Sequence, residues 1–421
     1  MKLKIASIFF ATLGLLLTSC ATTAAVPKQF SGATPLEWSQ RLANSEMARR
    51  GDSLAWKPEG KAKWDYTAGL FTLSLLKLNE KIPTPRYVEF TEQAIGSFIS
   101  SNGMKSYSDA FQIKTYKPEE FQLDAMNSGR TLLLLWQTVT KPDRYWYFYG
   151  CAKLVDQLEK QPRTPDGGFW HKQRYTNQMW LDGIYMAEPF YAAMGRYMMN
   201  RNGTYDEVAK QLRLIDEHTY DAKTGLNYHG WDAMKTQSWA NPATGCSSNF
   251  WGRAMGWYAM ALVDVLDYFP TNHPARPQII STLQKLSVGV LKYQDANTGL
   301  WWQVMDQGDR PGNYLEATAS AMFVYSLAKG VNHGYLSRDL VPAIERGYAG
   351  IIKNLIIADG ENKWSLTKCC SVAGLGGSPS NGKMRDGSFD YYIGEPVVNN
   401  DLKGVGPFIL AGIEMQKLQA K

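Results

Sequence analysis

One pattern recurs six times along this chain, and it leaves few folds open. A polar or charged residue sits beside an aromatic or aliphatic one, small residues follow, and a long apolar run comes next. The six beginnings are Trp64-Asp65-Tyr66, Leu123-Asp124-Ala125, Trp180-Leu181-Asp182, Trp251-Gly252-Arg253, Tyr314-Leu315-Glu316 and Asn400-Asp401-Leu402. The runs behind them, such as GIYMAEPFYAAM, GWYAMALVDVL and SAMFVYSLA, are apolar on every side rather than along one stripe, which marks helices buried all round. Between them lie stretches with mixed faces, at 144–159, 205–217, 276–292 and 340–355, as expected of helices that cover others. Six buried helices alternating with covering ones, at roughly 60–85 residues per pair, predict an all-α fold closed into a double ring, because each unit must bury its apolar face against its neighbours. An open superhelix of helical hairpins is the alternative, but it would show amphipathic helices in both layers and a shorter repeat. In a closed ring the first-turn residues of the inner helices converge on one rim. The helix dipoles present their positive ends there and favour an anionic ligand.

The N-terminus carries a separate message. Lys2 and Lys4 precede an apolar run over 5–17 and then Leu17-Thr18-Ser19-Cys20, the layout of a secretory signal peptide and too short for a comfortable bilayer span. Leu-Thr-Ser-Cys resembles a bacterial lipobox, so 1–19 reads as a lipoprotein signal peptide and Cys20 as the lipidated residue. An ordinary signal peptide cut near Ala24-Ala25 is the alternative. The expectation is a periplasmic or cell-envelope lipoprotein of a bacterium that meets the membrane only through its lipid. Residues 20–35, small, polar and proline-containing, read as a tether. No long Gly/Ser/Pro linker follows, so 36–421 reads as one catalytic domain, expected to be a monomer. Beyond Cys20 the cysteines are Cys151, Cys246, Cys369 and Cys370, in no C-x-x-C spacing that would point to zinc or a redox pair. The formal charge of +6 is scattered, and without a basic stripe to track a phosphate backbone, nucleic acid is not an expected partner. The 14 Trp and 23 Tyr suit sugar faces and a bulky helical core equally well.

A second repetition lies in the connections. Gly168-Phe169-Trp170-His171, Gly225-Leu226-Asn227-Tyr228-His229 and Gly299-Leu300-Trp301-Trp302-Gln303 each run from a glycine turn through apolar and aromatic residues to a polar ring or amide. Asp-x-x-Thr-Gly introduces two of them, at 221–225 and 295–299. It reads as turn chemistry, since a calcium loop would need more oxygen ligands at alternate positions. No nucleophile elbow, P-loop, HExxH pair or nucleotide-binding glycine run is present, so neither metal nor organic cofactor is expected. The remaining chemistry-bearing groups are the rim carboxylates Asp65, Asp124, Asp182, Glu316 and Asp401, each of which could serve its own helix N-terminus and nothing more. Asp182 stands apart by its company, with His171, Lys172, Tyr175, Gln178 and Trp180 before it and Tyr185 and Met186 after it. Partial desolvation among aromatic rings favours the protonated form a general acid needs. Arg253 and Trp257, one helical turn apart, share a face on which a guanidinium fork beside an indole would suit a carboxylate-bearing sugar. An Arg–Asp pair and a packed Trp inside the ring would look the same in sequence.

The strings GGFWHKQRYTNQMWLDGIYMAEPF (167–190), NFWGRAMGWYAMAL (249–262), NYLEATASAMFVYSLAKGVNHGYL (313–336) and GLGGSPSNGKMRDGSFDYYIGEPVVNNDLKGVGPFILA (374–411) resemble the unsaturated rhamnogalacturonyl hydrolases, glycoside hydrolase family 105. The resemblance runs in order from about Trp64 onward and implies an (α/α)6 barrel, in agreement with the double ring. It implies Asp182 as general acid and base, Asp124 as its companion carboxylate, and His171, Lys172, Trp180, His229, Arg253 and Trp257 lining the sugar pocket. The insertion-like 378–383 is expected to alter the pocket edge. The implied substrate is a lyase-generated rhamnogalacturonan (pectin) oligosaccharide with a terminal 4,5-unsaturated galacturonyl residue. Its C4=C5 bond is a vinyl ether, so protonation at C4 and hydration at C5 release the sugar below without a nucleophile–acid carboxylate pair. Three other readings stay open: an unsaturated glucuronyl hydrolase for ulvan or glycosaminoglycan fragments, a uronic-acid lyase or sugar epimerase, and a non-catalytic glycan-binding lipoprotein.

Overall fold

The computed structural model of the chain describes residues 28–51, 54, 61–100, 111–377 and 384–419. The expected signal peptide over 1–19, the expected lipidation site Cys20 and the insertion-like segment 378–383 lie outside the described residues. The helices are α1 (Pro35–Arg50), α2 (Tyr66–Asn79), α3 (Pro85–Ala94), α4 (Gly129–Thr138), α5 (Tyr145–Glu159), α6 (Leu181–Met194), α7 (Arg201–Thr219), α8 (Gly252–Val265), α9 (Arg276–Lys292), α10 (Ala317–Asn332), α11 (Val341–Leu355), the short α12 (Phe389–Gly394) and α13 (Leu402–Gln419). Six of them, α2, α4, α6, α8, α10 and α13, each touch the next, and α13 closes back onto α2. Around this inner ring α1 packs on α13, α3 on α2, α5 on α4, α7 on α6, α9 on α8 and α11 on α10. The result is the (α/α)6 barrel that the repeat predicts.

The two layers follow from the side chains. Every residue of α8 is buried, and in α6 only Asp182 escapes full burial, because an inner helix touches protein on all sides. The outer α9 buries Ile279, Leu283, Leu286 and Val290, an i, i+4, i+7, i+11 stripe that leaves the opposite face to solvent. The Asp-x-x-Thr-Gly segments are turns, as expected. Thr224 N–H and Oγ1 donate to Asp221 Oδ2 (2.8 and 2.6 Å), and Thr298 does the same to Asp295 Oδ1 (2.7 and 2.6 Å). Both end on a glycine in the left-handed region (Gly225 φ +81°, Gly299 φ +75°), and each docks against a glycine of the next outer helix. A Cβ on Gly289 or Gly350 would stand 2.0 Å from the turn's carbonyl oxygen, so backbone contacts backbone there.

One expectation needs correction, and one open alternative is narrowed. The tether ends sooner than composition indicates, because Phe30 is buried edge-on to Tyr348 (ring centroids 5.0 Å apart) and its carbonyl accepts from Trp38 Nε1 (2.6 Å). Thr34 and Glu37 then close a capping box on α1. The tryptophan excess belongs mainly to packing: the Trp residues among the described residues are buried or half-buried, and Trp251, Trp257 and Trp301 are among the largest fully buried side chains. Deep in the ring, Asp264 of α8 joins Arg130 Nη1 (2.9 Å), Lys329 Nζ (2.7 Å) and Tyr325 Oη (2.6 Å), stitching α4, α8 and α10 together. The cysteines Cys151, Cys246, Cys369 and Cys370 are free thiols, all buried.

Candidate active site

The rim carboxylates, each able in sequence to serve its own helix start, separate once their hydrogen bonds are traced. Asp65 caps α2, accepting from Thr67 N–H (2.7 Å) and Thr67 Oγ1 (2.5 Å). Glu316 caps α10 through Ala319 N–H (2.6 Å) and accepts from Cys370 N–H (2.9 Å). Asp401 accepts from Lys403 N–H (2.9 Å) and Lys403 Nζ (2.8 Å) at the start of α13. These three serve helix starts, as any N-terminal carboxylate can. Asp124, on a single 3-10 turn over Leu123–Met126, is tied differently: Lys172 Nζ (2.6 Å) and Gln122 Nε2 (3.1 Å) donate to Oδ2, and His171 Nε2 stands 3.5 Å from Oδ1. Burial opposes its charge, but Lys172 and His171 outweigh burial and hold the carboxyl down at about 2. Burial likewise drives the His171 imidazole down to about 4, against the pull of Asp124, and so keeps it neutral.

Asp182 is the exception. It lies in the first turn of α6 yet caps nothing, and Oδ2 instead approaches His229 Nε2 at 3.1 Å, off the line of a straight hydrogen bond. Neither carboxylate oxygen takes a hydrogen bond from the described residues. A short antiparallel ribbon makes this pairing. Gln178–Trp180 runs against Gly230–Asp232 with Trp180 opposite Gly230, and Leu181 N–H donates to His229 O (3.0 Å). That register leaves Asp182 and His229 as neighbours beyond the ribbon's end. Near-parallel rings of His171, Trp180 and Tyr175 form one wall, with centroids 4.5 Å (His171–Trp180) and 4.6 Å (Tyr175–Trp180) apart, and Trp180 meets His229 edge-on at 5.4 Å. Gly183 is needed on this wall, since a Cβ there would come within 2.8 Å of His171 Nδ1.

The loop repetition has a structural meaning that the sequence did not disclose. Each terminal polar residue reaches back to the start of the preceding inner unit: His171 to Asp124, His229 to Asp182, and Gln303 to Trp251, whose Nε1 donates to its Oε1 (3.1 Å). The structure therefore brings together Asp124, His171, Lys172, Trp180, Asp182 and His229. Arg253 occupies in α8 the position of Asp182 in α6. It is buried, gives Nη1 to the Cys370 carbonyl, leaves Nε without a partner, and lies over the Trp251 ring at 4.6 Å. Trp257 is not its aromatic neighbour, contrary to the shared-face expectation. It stacks a turn deeper on Tyr185 (4.9 Å) and edge-on to Tyr66 (6.2 Å). Sequence reasoning missed Gln122, whose nearness to Asp124 was a usable signal, and Tyr392, which meets His229 across 163 positions and offered none. Beside Lys172 a cavity of about 370 Å³ opens, lined by Glu119, Glu120, Gln122, Lys172, Gln173 and Arg174.

Aromatic walls around one acid that no lysine neutralises are what glycosidic chemistry asks of a protein, and a helical ring carrying them at its rim defines a carbohydrate-active hydrolase. Comparison with known proteins narrows the class. Residues 38–419 match the model of Glycosyl Hydrolase Family 88, and the chain belongs to that family and is a glycoside hydrolase. The solved glycoside hydrolase from family 105 of C. acetobutylicum ATCC 824 is similar at 38% identity and a TM-score of 0.81, over 90% of this chain and 99% of that one, in line with the family-105 resemblance of the motif strings. Among curated proteins, Protein Atu3128 of Agrobacterium fabrum is 38% identical over 233 residues, 54% of this chain and 97% of its own length. The unsaturated rhamnogalacturonyl hydrolase YesR of Bacillus subtilis is 27% identical over 264 residues, 61% of this chain and 68% of its own length.

Proposed function

We propose that this protein removes the terminal 4,5-unsaturated galacturonyl residue from lyase-generated rhamnogalacturonan oligosaccharides, with Asp182 as the proton donor. One observation carries the reading: of the rim carboxylates, Asp182 alone is spent neither on a lysine nor on helix backbone. A hydration mechanism needs a single such group. Asp182 Oδ1 gives its proton to C4 of the vinyl ether, positive charge develops at C5 and the ring oxygen, and the resulting carboxylate accepts a proton from the water that adds to C5. The hemiketal then opens and the sugar below leaves. Asp124, kept anionic by Lys172, accepts hydrogen bonds from sugar hydroxyls rather than giving a proton. Arg253 supplies a cation for the conjugated carboxylate. The cavity beside Lys172 gives the rest of the oligosaccharide room, and the name of the YesR relative supports a galacturonyl-rhamnose substrate.

The direct test follows the ultraviolet absorbance of the conjugated double bond. Unsaturated galacturonyl-rhamnose should lose its absorbance on incubation with the purified protein. A rise in absorbance from an intact polymer would instead show a lyase, and no change would show a binding module. Unsaturated glucuronyl-rhamnose run in parallel should react more slowly, and faster reaction there would reassign the substrate. We further propose that the enzyme works in the cell envelope, attached through Cys20, on the strength of the lipobox-like Leu17-Thr18-Ser19-Cys20. Mass spectrometry of the protein from a bacterial envelope should find an N-terminal diacylglyceryl-cysteine at position 20. An unmodified N-terminus beginning near Ala25 would refute the anchor.

A further inference from the structure

Behind His229 stands a residue that no reading of the sequence places in the site. Tyr392, fully buried on α12, puts its hydroxyl 2.8 Å from His229 Nδ1. Its ring stacks near-parallel on Trp251 (5.8 Å), and its carbonyl accepts from Gln303 Nε2 (3.0 Å), whose Oε1 in turn accepts from Trp251 Nε1. The third repeated loop and the start of α8 thus fix this phenol in place. Burial, reinforced by the neighbouring Tyr391, Asp182, Asp386 and Cys370, keeps it protonated.

The protons along this line can be assigned. A neutral imidazole carries its hydrogen on Nδ1 or on Nε2. With the hydrogen on Nδ1, the phenol's own proton would have no acceptor among the described residues, and the Nε2 lone pair would face a carboxylate oxygen at 3.1 Å. With it on Nε2, Tyr392 donates to Nδ1, and a hydrogen rather than a lone pair faces the Asp182 carboxylate at 3.1 Å, bent away from hydrogen-bond geometry. We propose that Tyr392 is a positioning residue that locks His229 in the Nε2–H tautomer, so that the positive edge of the imidazole faces Oδ2 of Asp182 and the catalytic proton is held on Oδ1. The hydrogen bond that orients one ring nitrogen sets the role of the other. Delivery from a defined oxygen gives C4 a proton along one direction, whereas an acid protonated on either oxygen would spend much of its time aimed at His229.

This inference rests on Asp182 being the acid, and its test is separable from that one. In wild-type protein labelled with ¹⁵N-histidine, His229 should show the Nε2–H tautomer, identified against a His229→Gln sample. Tyr392→Phe should shift it toward a mixture, and a wild-type Nδ1–H signal, or an unchanged tautomer in the variant, would overturn the proposal whether or not Asp182 is catalytic. In the absorbance assay Tyr392→Phe should lower kcat by about 10- to 100-fold with KM nearly unchanged, a fraction of what general acid catalysis supplies. It should also move the pH profile of kcat/KM. The titratable groups around His229, Asp182 and Tyr392 include His171 with its partners Asp124 and Lys172, and Tyr391, Asp386 and Cys370, and none of these is changed by Tyr392→Phe. A merely packing role would lower the yield of active enzyme and leave the profile in place. In a His229→Gln background, where an amide donates to Asp182 without a tautomer to choose, Tyr392→Phe should cause no further loss of kcat. An equal loss in both backgrounds would refute the proposed route through His229.

Discussion

Asp182→Asn should lower kcat on unsaturated galacturonyl-rhamnose by about a thousandfold or more, the upper part of the range for general acid–base catalysis, with KM and melting temperature close to wild type. The amide keeps the shape of the carboxylate and breaks no hydrogen bond of it, so the ribbon of Gln178–Trp180 and Gly230–Asp232 and the first turn of α6 stay as they are. What it lacks is a proton acidic enough to move to carbon. Initial rates of absorbance loss and a thermal melt decide the matter, and equal rates for the two proteins would remove Asp182 from the mechanism. Asp124→Asn provides the contrast. Asp124 is already an anion, held at about 2 by Lys172 and His171 against its burial, so its loss should weaken substrate binding and release Lys172 rather than abolish a proton transfer. Because its folded pKa lies below the unfolded value, the stability from this pair is complete above the ordinary carboxylate range and lost only as pH falls toward 2.

Asp264→Ala should destabilise the barrel by about 3–5 kcal/mol, the usual consequence of removing one partner from a buried ion pair. Among the described residues Asp264 is the only carboxylate in contact with both Arg130 (2.9 Å) and Lys329 (2.7 Å), and all three are buried. Without it the guanidinium of α4 keeps only the neutral Tyr185 hydroxyl (3.1 Å) and no counter-charge, while Lys329 retains Asp267 (2.6 Å) at the cluster's edge. Burial opposes ionisation of Asp264, but the two cations hold its carboxyl at about 2. The sign is that of a depressed acid: the contribution is present above the unfolded carboxylate range and disappears as pH falls through about 2. Denaturant melts at neutral pH measure the effect, and a midpoint within error of wild type would show that Arg130 finds another partner. Asp264→Asn, which keeps the contact from Tyr325 but drops the charge, should fall between the two.

The legible part of this molecule was its helices. Runs such as GWYAMALVDVL have no polar face to turn toward water, so burial on every side follows from composition, and the boundaries of α6, α8 and α10 fall where the repeat puts them. The Asp-x-x-Thr-Gly turns were legible for a similar reason, since their hydrogen bonds run within five residues. Phe30 was misread because a single apolar residue among small polar ones gives no sign of whether it docks. Arg253 and Trp257 were rightly placed on one helix face, but a shared face does not choose a neighbour, and the guanidinium lies on Trp251 instead.

Sequence alone therefore determined the closed ring, the set of carboxylates on its rim and the histidines that end its loops, because each depends on periodicity or on residues near one another in the chain. The sequence singled out Asp182 by its neighbours and by the family resemblance, but the hydrogen bonds that tie up the other rim carboxylates and leave Asp182 untied came only with the tertiary structure. Asp124 meets its lysine across 48 positions, and His229 meets Tyr392 across 163. An acid's fate depends on the charges and donors within a few ångströms of it, and those distances exist only once the ring has closed.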